Sequence, residues 1–269
     1  MKVCCSSYSF HRAFDKGIMD IESFLKIMYH LKVGGVELLD LHLIPNRENL
    51  RELKRLALRL GIEIAAITIH PSLEFPSISP YKCVAARDPL GKIKKWIDLA
   101  FFMGSPILRV DVLRTSKETT EKEAIRENID CIKKSIPNAI EKGITMGIEN
   151  HGGTTSTAEN ILKIVKGVDS EWYGVVLDVG NFGFEENAYE EMDKLAPYAI
   201  LCHAKTYEFG LGWQGLESYW EEKKIDYRRV MGILRRNGFN GYLSLEYEGQ
   251  EAEETAVPKG VEFLRKIIQ

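Results

Sequence analysis

The chain has 269 residues, 45% of them apolar and 28% charged, with 36 Lys and Arg against 39 Asp and Glu for a formal net charge of -3. This composition excludes a largely disordered chain, and the length suits one large α/β domain able to bury a core without disulfides or structural metal. The near-neutral balance gives no general attraction to nucleic acid or to a membrane surface, and no apolar run approaches the roughly 18–20 residues of a spanning helix.

A first strand is expected over residues 3–10. Asp20 then caps a helix in which Ile21, Phe24, Leu25, Met28 and Leu31 repeat at helical spacing, with Gly34-Gly35 as its stop. Residues 36–39 form a second strand. Leu50, Leu53, Leu56, Ala57 and Leu60 mark a second helix ended by Gly61, and the β-branched run over 62–70 is a third strand. Residues 71–87 carry prolines at 71, 76 and 80, show no period and read as a long loop. A third helix over 90–101 precedes Gly104, and a fourth strand covers 106–113. Ile125, Ile129, Ile132 and Ile136 lie on one face of a fourth helix, kinked at Pro137 and ended by Gly143.

The second half repeats the rhythm. A strand over 144–150 is followed by Ser156 and Glu159, a capping-box pair that opens a helix through Ile161, Leu162 and Val165. A strand over 173–178, a short helix near 189–195 and a strand over 199–204 come next. The long stretch over 206–225 holds Trp213 and Trp220. Asp226 caps a helix stopped by Gly238; a strand over 242–247 and a helix through Val257, Val261, Leu264 and Ile268 close the chain. Eight strand–helix units without a composition break predict one α/β domain over 1–269, a (β/α)8 TIM barrel. The first strand is not followed by G-x-G-x-x-G, which weighs against an open dinucleotide-binding sheet.

Five cysteines (Cys4, Cys5, Cys83, Cys131 and Cys202) are irregularly spaced and form no C-x-x-C pair. All five are expected to be reduced, with Cys202 behind His203 on the opposite strand face. The N-terminus reads as a strand and not a signal peptide, so the expected location is the cytoplasm.

In such a barrel, chemistry sits at the C-terminal ends of the strands. Strands five to eight end in Gly147-Ile148-Glu149-Asn150, Val176-Leu177-Asp178, Leu201-Cys202-His203 and Leu243-Ser244-Leu245-Glu246. Four successive strands thus deliver Glu149, Asp178, His203 and Glu246 to one end. Three acids converging on one mouth repel unless a cation resolves the repulsion. This oxygen-rich donor set suits one divalent ion: Mn2+, Mg2+, Co2+ or Zn2+. Substrate-facing candidates are His70, ending strand three; Arg109, sharing a strand face with Asp111; Asn181, three residues after Asp178; and Lys205, in phase with His203. Arg109 and Asp111 also suit an internal salt bridge, and Glu37, ending strand two, has the same two readings. His151 suits either a partner of the site or a solvated loop position. Trp213 and Trp220 suit either a roof over the pocket or local loop packing.

The stretches Gly147-Ile148-Glu149-Asn150-His151, Leu177-Asp178-Val179-Gly180-Asn181, Cys202-His203-Ala204-Lys205 and Gly241-Tyr242-Leu243-Ser244-Leu245-Glu246 resemble the sugar phosphate isomerase/epimerase family of xylose isomerase-like TIM barrels. The resemblance implies that Glu149, Asp178, His203 and Glu246 hold one divalent metal and that Glu149 and Glu246 also move protons. It implies a sugar or polyol substrate, free or phosphorylated, interconverted through an enediolate. Some members carry His where this chain has Asn181, which removes a titratable group. An inosose-type or dehydroshikimate-type dehydratase uses nearly the same residues. An apurinic-site endonuclease would need more histidines, since Asp111 and Asn181 stand where that chemistry expects them. A non-catalytic sugar-binding barrel would not need two opposed glutamates. No nucleic-acid or membrane partner is expected; a homo-oligomer is compatible with the family.

Overall fold

The computed structural model describes residues 1–74, 84–113, 119–214 and 217–269. Eight parallel strands are β1 (Lys2–Ser6), β2 (Gly35–Leu39), β3 (Glu63–Ile69), β4 (Ile107–Val110), β5 (Thr145–Glu149), β6 (Tyr173–Asp178), β7 (Ala199–Thr206) and β8 (Tyr242–Tyr247). Each pairs with its neighbours in the chain, and β1 also pairs with β8, so the sheet closes into a barrel without edges. The surrounding helices are α1 (Ile21–His30), α2 (Arg47–Leu60), α3 (Pro89–Met103), α4 (Glu121–Lys142), α5 (Ala158–Val168), α6 (Glu186–Leu195), α7 (Tyr227–Arg236) and α8 (Glu253–Ile267).

Strand period two divides the core. Ile148, Leu177, Cys202, Ala204, Leu243 and Leu245 face outward and join the main apolar cluster with helix residues such as Ile161, Ile164, Val261 and Leu264. Burying each such Leu or Ile contributes about 1.5–3 kcal/mol before chain entropy is charged against it. A separate small cluster of Ala66, Val176 and Leu201, with Ile107, Ile200 and Tyr242 packed on it, plugs the barrel floor. Gly35 begins β2 because a Cβ there would lie 2.7 Å from the Tyr242 ring. Above that floor the same inward phase carries Glu37, Thr68, Arg109, Glu149, Asp178, His203, Ser244 and Glu246, all buried.

Several local expectations are met. Asp20 accepts a hydrogen bond from Ser23 N–H, Asp226 from Arg228 N–H, and α2, α3 and α4 end on left-handed Gly61, Gly104 and Gly143. Others are displaced. β1 stops at Ser6, whose hydroxyl accepts from Tyr8 N–H and turns the chain into a 3-10 segment and a short helix, His11–Asp15. α1 ends at His30, with Lys32 in the left-handed region, before Gly34 is reached. α4 continues past Pro137 to Lys142: packing against α3 and α5 outweighs the donor lost there. Thr157, not Ser156, caps α5 by accepting from Asn160 N–H, and the reciprocal capping box lies at Thr120 and Glu123. The stretch expected as one long loop after β7 is an antiparallel hairpin, Phe209–Gln214 with Glu217–Glu222, packed on α8. Within the expected loop after β3, Leu73–Glu74 pairs with Val84–Ala85; residues 75–83, including Cys83, lie outside the described residues. Cys4, Cys5, Cys131 and Cys202 are free thiols. No described helix is long and apolar enough to cross a membrane.

Candidate metal centre

Barrel register brings the four strand ends together. Asp178 and Ser244 are each level with His203, while Glu149 is level with Val176 and Glu246 with Lys205. One donor atom from each of Glu149, Asp178, His203 and Glu246 lies within 4.8 Å of the others, and all four residues are buried. Nδ1 of His203 is the hub. It contacts Glu149 Oε1, lies 3.3 Å from Glu246 Oε1 and 3.8 Å from Asp178 Oδ2.

The surroundings aim each donor. Asp178 Oδ1 accepts from the N–H groups of Gly180 (2.7 Å) and Asn181 (2.9 Å), so Oδ2 is left facing the hub. Asn150 clamps the backbone of Asp178, donating to its carbonyl and accepting from its N–H, both at 2.8 Å. His203 Nε2 lies 3.0 Å from the carboxylate of Glu37, which also accepts from Thr68 Oγ1 (2.6 Å) and Ser244 Oγ (2.7 Å). A proton held on Nε2 leaves Nδ1 free to bind an ion.

Two buried cations complete the ring. Arg109 Nη2 contacts Glu149 Oε2 and lies 2.9 Å from Asp111 Oδ1. Lys205 Nζ lies 2.7 Å from Glu246 Oε2, 3.2 Å from Asp178 Oδ2 and 2.9 Å from Glu248 Oε1. Each glutamate therefore turns Oε1 to the hub and gives Oε2 to a cation.

Electrostatics follows. Burial raises the pKa of Asp178 to about 6, with Lys205 opposing and Glu149 and Glu246 adding to the rise. Burial also works against the charged forms of His203 and Glu246. Carboxylates nevertheless hold His203 well above its ordinary value, and His203, Lys205 and Arg109 hold Glu246 well below its own. Glu149 Oε1 and Oε2, Asp178 Oδ2 and His203 Nδ1 are buried and meet charged neighbours, but none of them makes a well-formed hydrogen bond. Buried polar atoms are rarely left so. Three acids and an imidazole with unsatisfied, converging donors fit a divalent cation.

The expected substrate-facing residues are placed as follows. His70 follows β3 and its Nδ1 donates to Asp40 Oδ1 at 2.7 Å; its Nε2 lies 3.7 Å from Asp111 Oδ2. Lys92 Nζ holds Asp40 Oδ2 at 2.8 Å. Asn181 Nδ2 is buried without a hydrogen-bond partner. Arg109 and Lys205 are engaged with carboxylates as above. Trp220 packs under Lys259 of α8, and Trp213 is 68% exposed on the hairpin. Thr68, Ser244 and Asn150 anchor the centre without lying among the sequence-expected site residues. Inward phase with Glu37 and His203 is the signal that singles out Thr68 and Ser244; Asn150 offers no such period.

A model of the xylose isomerase-like TIM barrel family matches residues 30–267. Among curated proteins, an uncharacterized protein of Methanocaldococcus jannaschii, MJ1311, is 27% identical over 129 residues, 46% of this chain and 44% of that protein, so the match spans under half of the relative's length. Among solved structures, the IOLI protein with a bound zinc atom superposes with a TM-score of 0.74 at 16% identity, covering 100% of this chain and 96% of the other. A D-tagatose 3-epimerase-like protein gives 0.72 at 18%, covering 100% and 97%. Likeness at these identities concerns the fold. With eight strands closed in chain order and the family match running over most of its length, this chain belongs to the xylose isomerase-like TIM barrel family.

Proposed function

We propose that this protein is a divalent-metal-dependent isomerase or epimerase that interconverts a ketose, or a related polyol carbonyl, with its epimer or aldose through an enediolate. The observation that carries the reading is the pair Glu149 and Glu246: two buried carboxylates, delivered from β5 and β8, each with one oxygen at the His203 hub and the other on a buried cation.

Glu149, Asp178, His203 and Glu246 would hold the ion, which supplies positive charge that stabilises an enediolate next to it. With Oε1 of each glutamate directed to the hub, proton handling falls to Oε2, which must loosen its contact with Arg109 or Lys205 to accept. One glutamate takes the proton from the carbon beside the carbonyl. The other returns one, either to that carbon from the opposite side or to its neighbour. Arg109 contacts Glu149 and Lys205 contacts Glu246, and His203, Lys205 and Arg109 together hold Glu246 in its ionised form, able to accept a proton at some cost in basicity. His70, Arg109, Asn181 and Lys205 are assigned to the substrate side of the centre, with Asp40 fixing the His70 ring and with Asn181 Nδ2 offering an unused donor for a hydroxyl. The bound species is a small sugar or polyol.

The test is solvent exchange. A panel of ketoses incubated with the protein and Mn2+ in deuterated water should include one that gains deuterium at the carbon next to the carbonyl. Glu149→Gln and Glu246→Gln should each lower turnover by about two to four powers of ten. Conversion without any solvent deuterium would replace proton transfer by a hydride shift. Irreversible loss of water would make the protein a dehydratase of the inosose or dehydroshikimate type.

A further inference from the structure

A second set of donors adjoins the first. One ligand atom from each of Asp111, Glu149 and His151 lies within 4.8 Å of the others, and Glu149 belongs to both sets. His70 Nε2, on the same side, is 3.7 Å from Asp111 Oδ2. Taken by donor type alone, two carboxylates and two imidazoles converging on one place describe a second cation site sharing Glu149 as a bridge.

That place is already taken. The Nη2 nitrogen of Arg109 sits between the two carboxylates, 2.9 Å from Asp111 Oδ1 and in contact with Glu149 Oε2. Arg109 as a whole is 4% exposed, so solvent does not draw its side chain away. An ion bridging Asp111 Oδ1 and Glu149 Oε2 needs bonds of about 2.0–2.4 Å to the two oxygens that Arg109 Nη2 already holds. It would overlap the guanidinium nitrogen and face its charge in a poorly screened interior. A guanidinium also keeps its proton across the accessible pH range, so the obstruction does not lift on titration.

We infer that Arg109 is a built-in second cation: its guanidinium occupies the Asp111–Glu149–His151 position, limits the centre to one metal ion, and leaves Glu149 with Oε1 as its metal-binding oxygen. The inference rests on the metal centre of Glu149, Asp178, His203 and Glu246. Arg109 is thereby a residue that decides metal stoichiometry, in addition to any contact it makes with substrate.

The experiment counts ions. The full-length protein is stripped with a chelator, equilibrated with Mn2+ and analysed for bound metal by atomic emission and by electron paramagnetic resonance. The wild type should bind one ion per chain and give the spectrum of isolated Mn2+, even at millimolar Mn2+ and from neutral to mildly alkaline pH. Arg109→Gln should bind two, and the Glu149 bridge should give the spectrum of an exchange-coupled pair. The double variant Arg109→Gln with Asp111→Asn should return to one, because a ligand has gone with the cation. A coupled pair in the wild type overturns the inference, and this arm needs no variant to fold. One ion in a folded Arg109→Gln, or two in the double variant, also overturns it while leaving the first centre standing. No ion in the wild type removes the metal centre itself, and the inference with it.

Discussion

Glu37 and His203 are 166 positions apart, on β2 and β7, yet the carboxylate of one lies 3.0 Å from Nε2 of the other across the barrel interior. Thr68 and Ser244 hold the same carboxylate at 2.6 and 2.7 Å. The imidazole is thus oriented from below by three strands before any ion arrives. Glu37→Gln keeps the volume but weakens this hold on the ring and its tautomer. Metal affinity measured by calorimetry should fall by about 10–100-fold, the usual scale for loss of such a partner. Unchanged affinity would show that His203 needs no orienting group.

Metal binding should depend on pH in a definite direction. Asp178 titrates near 6 and His203 well above its ordinary value in the metal-free protein, and both must lose protons to act as ligands. Apparent affinity should therefore rise with pH, by about tenfold per unit for each proton released. Calorimetry in buffers of different ionisation enthalpy counts those protons. Affinity that is flat between mildly acidic and neutral pH would contradict the electrostatic picture.

His42 lies outside the centre and should govern acid stability. It is buried, stacks on Phe14 at 3.8 Å, bonds Ser7 Oγ through Nδ1 at 2.9 Å and leaves Nε2 without a hydrogen-bond partner. Burial lowers its pKa to about 3. A base whose folded pKa is depressed contributes stability in full above its unfolded value of roughly 6.5 and loses it as pH falls toward the folded one, by about 1.4 kcal/mol per unit. Urea unfolding at neutral pH and at about pH 5 should show that slope in the wild type. His42→Gln should flatten it by about one proton, and equal slopes would sink the assignment.

Gly249, just beyond β8, is a packing test near the site. A Cβ there would run into the backbone carbonyl of Tyr207 and lie 2.5 Å from Tyr247 Oη. Backbone cannot step aside as a flexible side chain does, so Gly249→Ala should destabilise by about 3 kcal/mol. A melting temperature matching the wild type would mean that the loops after β7 and β8 separate at little cost.

The sequence by itself determined the alternation of eight strands with amphipathic helices, because period two and period 3.6 are written in the order of apolar residues. β6 at Tyr173–Asp178 and β8 at Tyr242–Tyr247 are found where the apolar runs lie, and Asp20, Asp226, Gly61 and Gly104 act as the caps their chemistry suits. It also indicated that Glu149, Asp178, His203 and Glu246 share an end of the barrel, since each terminates an apolar run in the same phase. Tertiary structure decided what those groups touch. Register alone sets which strand ends are level, and a shift of one residue would turn each side chain to the other face. The period-two spacing of Arg109 and Asp111 did suggest their pairing, but the Glu37–His203 contact, the two-sided grip of Asn150 on Asp178 and the contact of Arg109 with Glu149 join residues whose separation in the chain carries no period. They exist because closing the sheet brings β2, β4 and β7 to one interior, where low dielectric makes every unpaired charge costly and so dictates its partner.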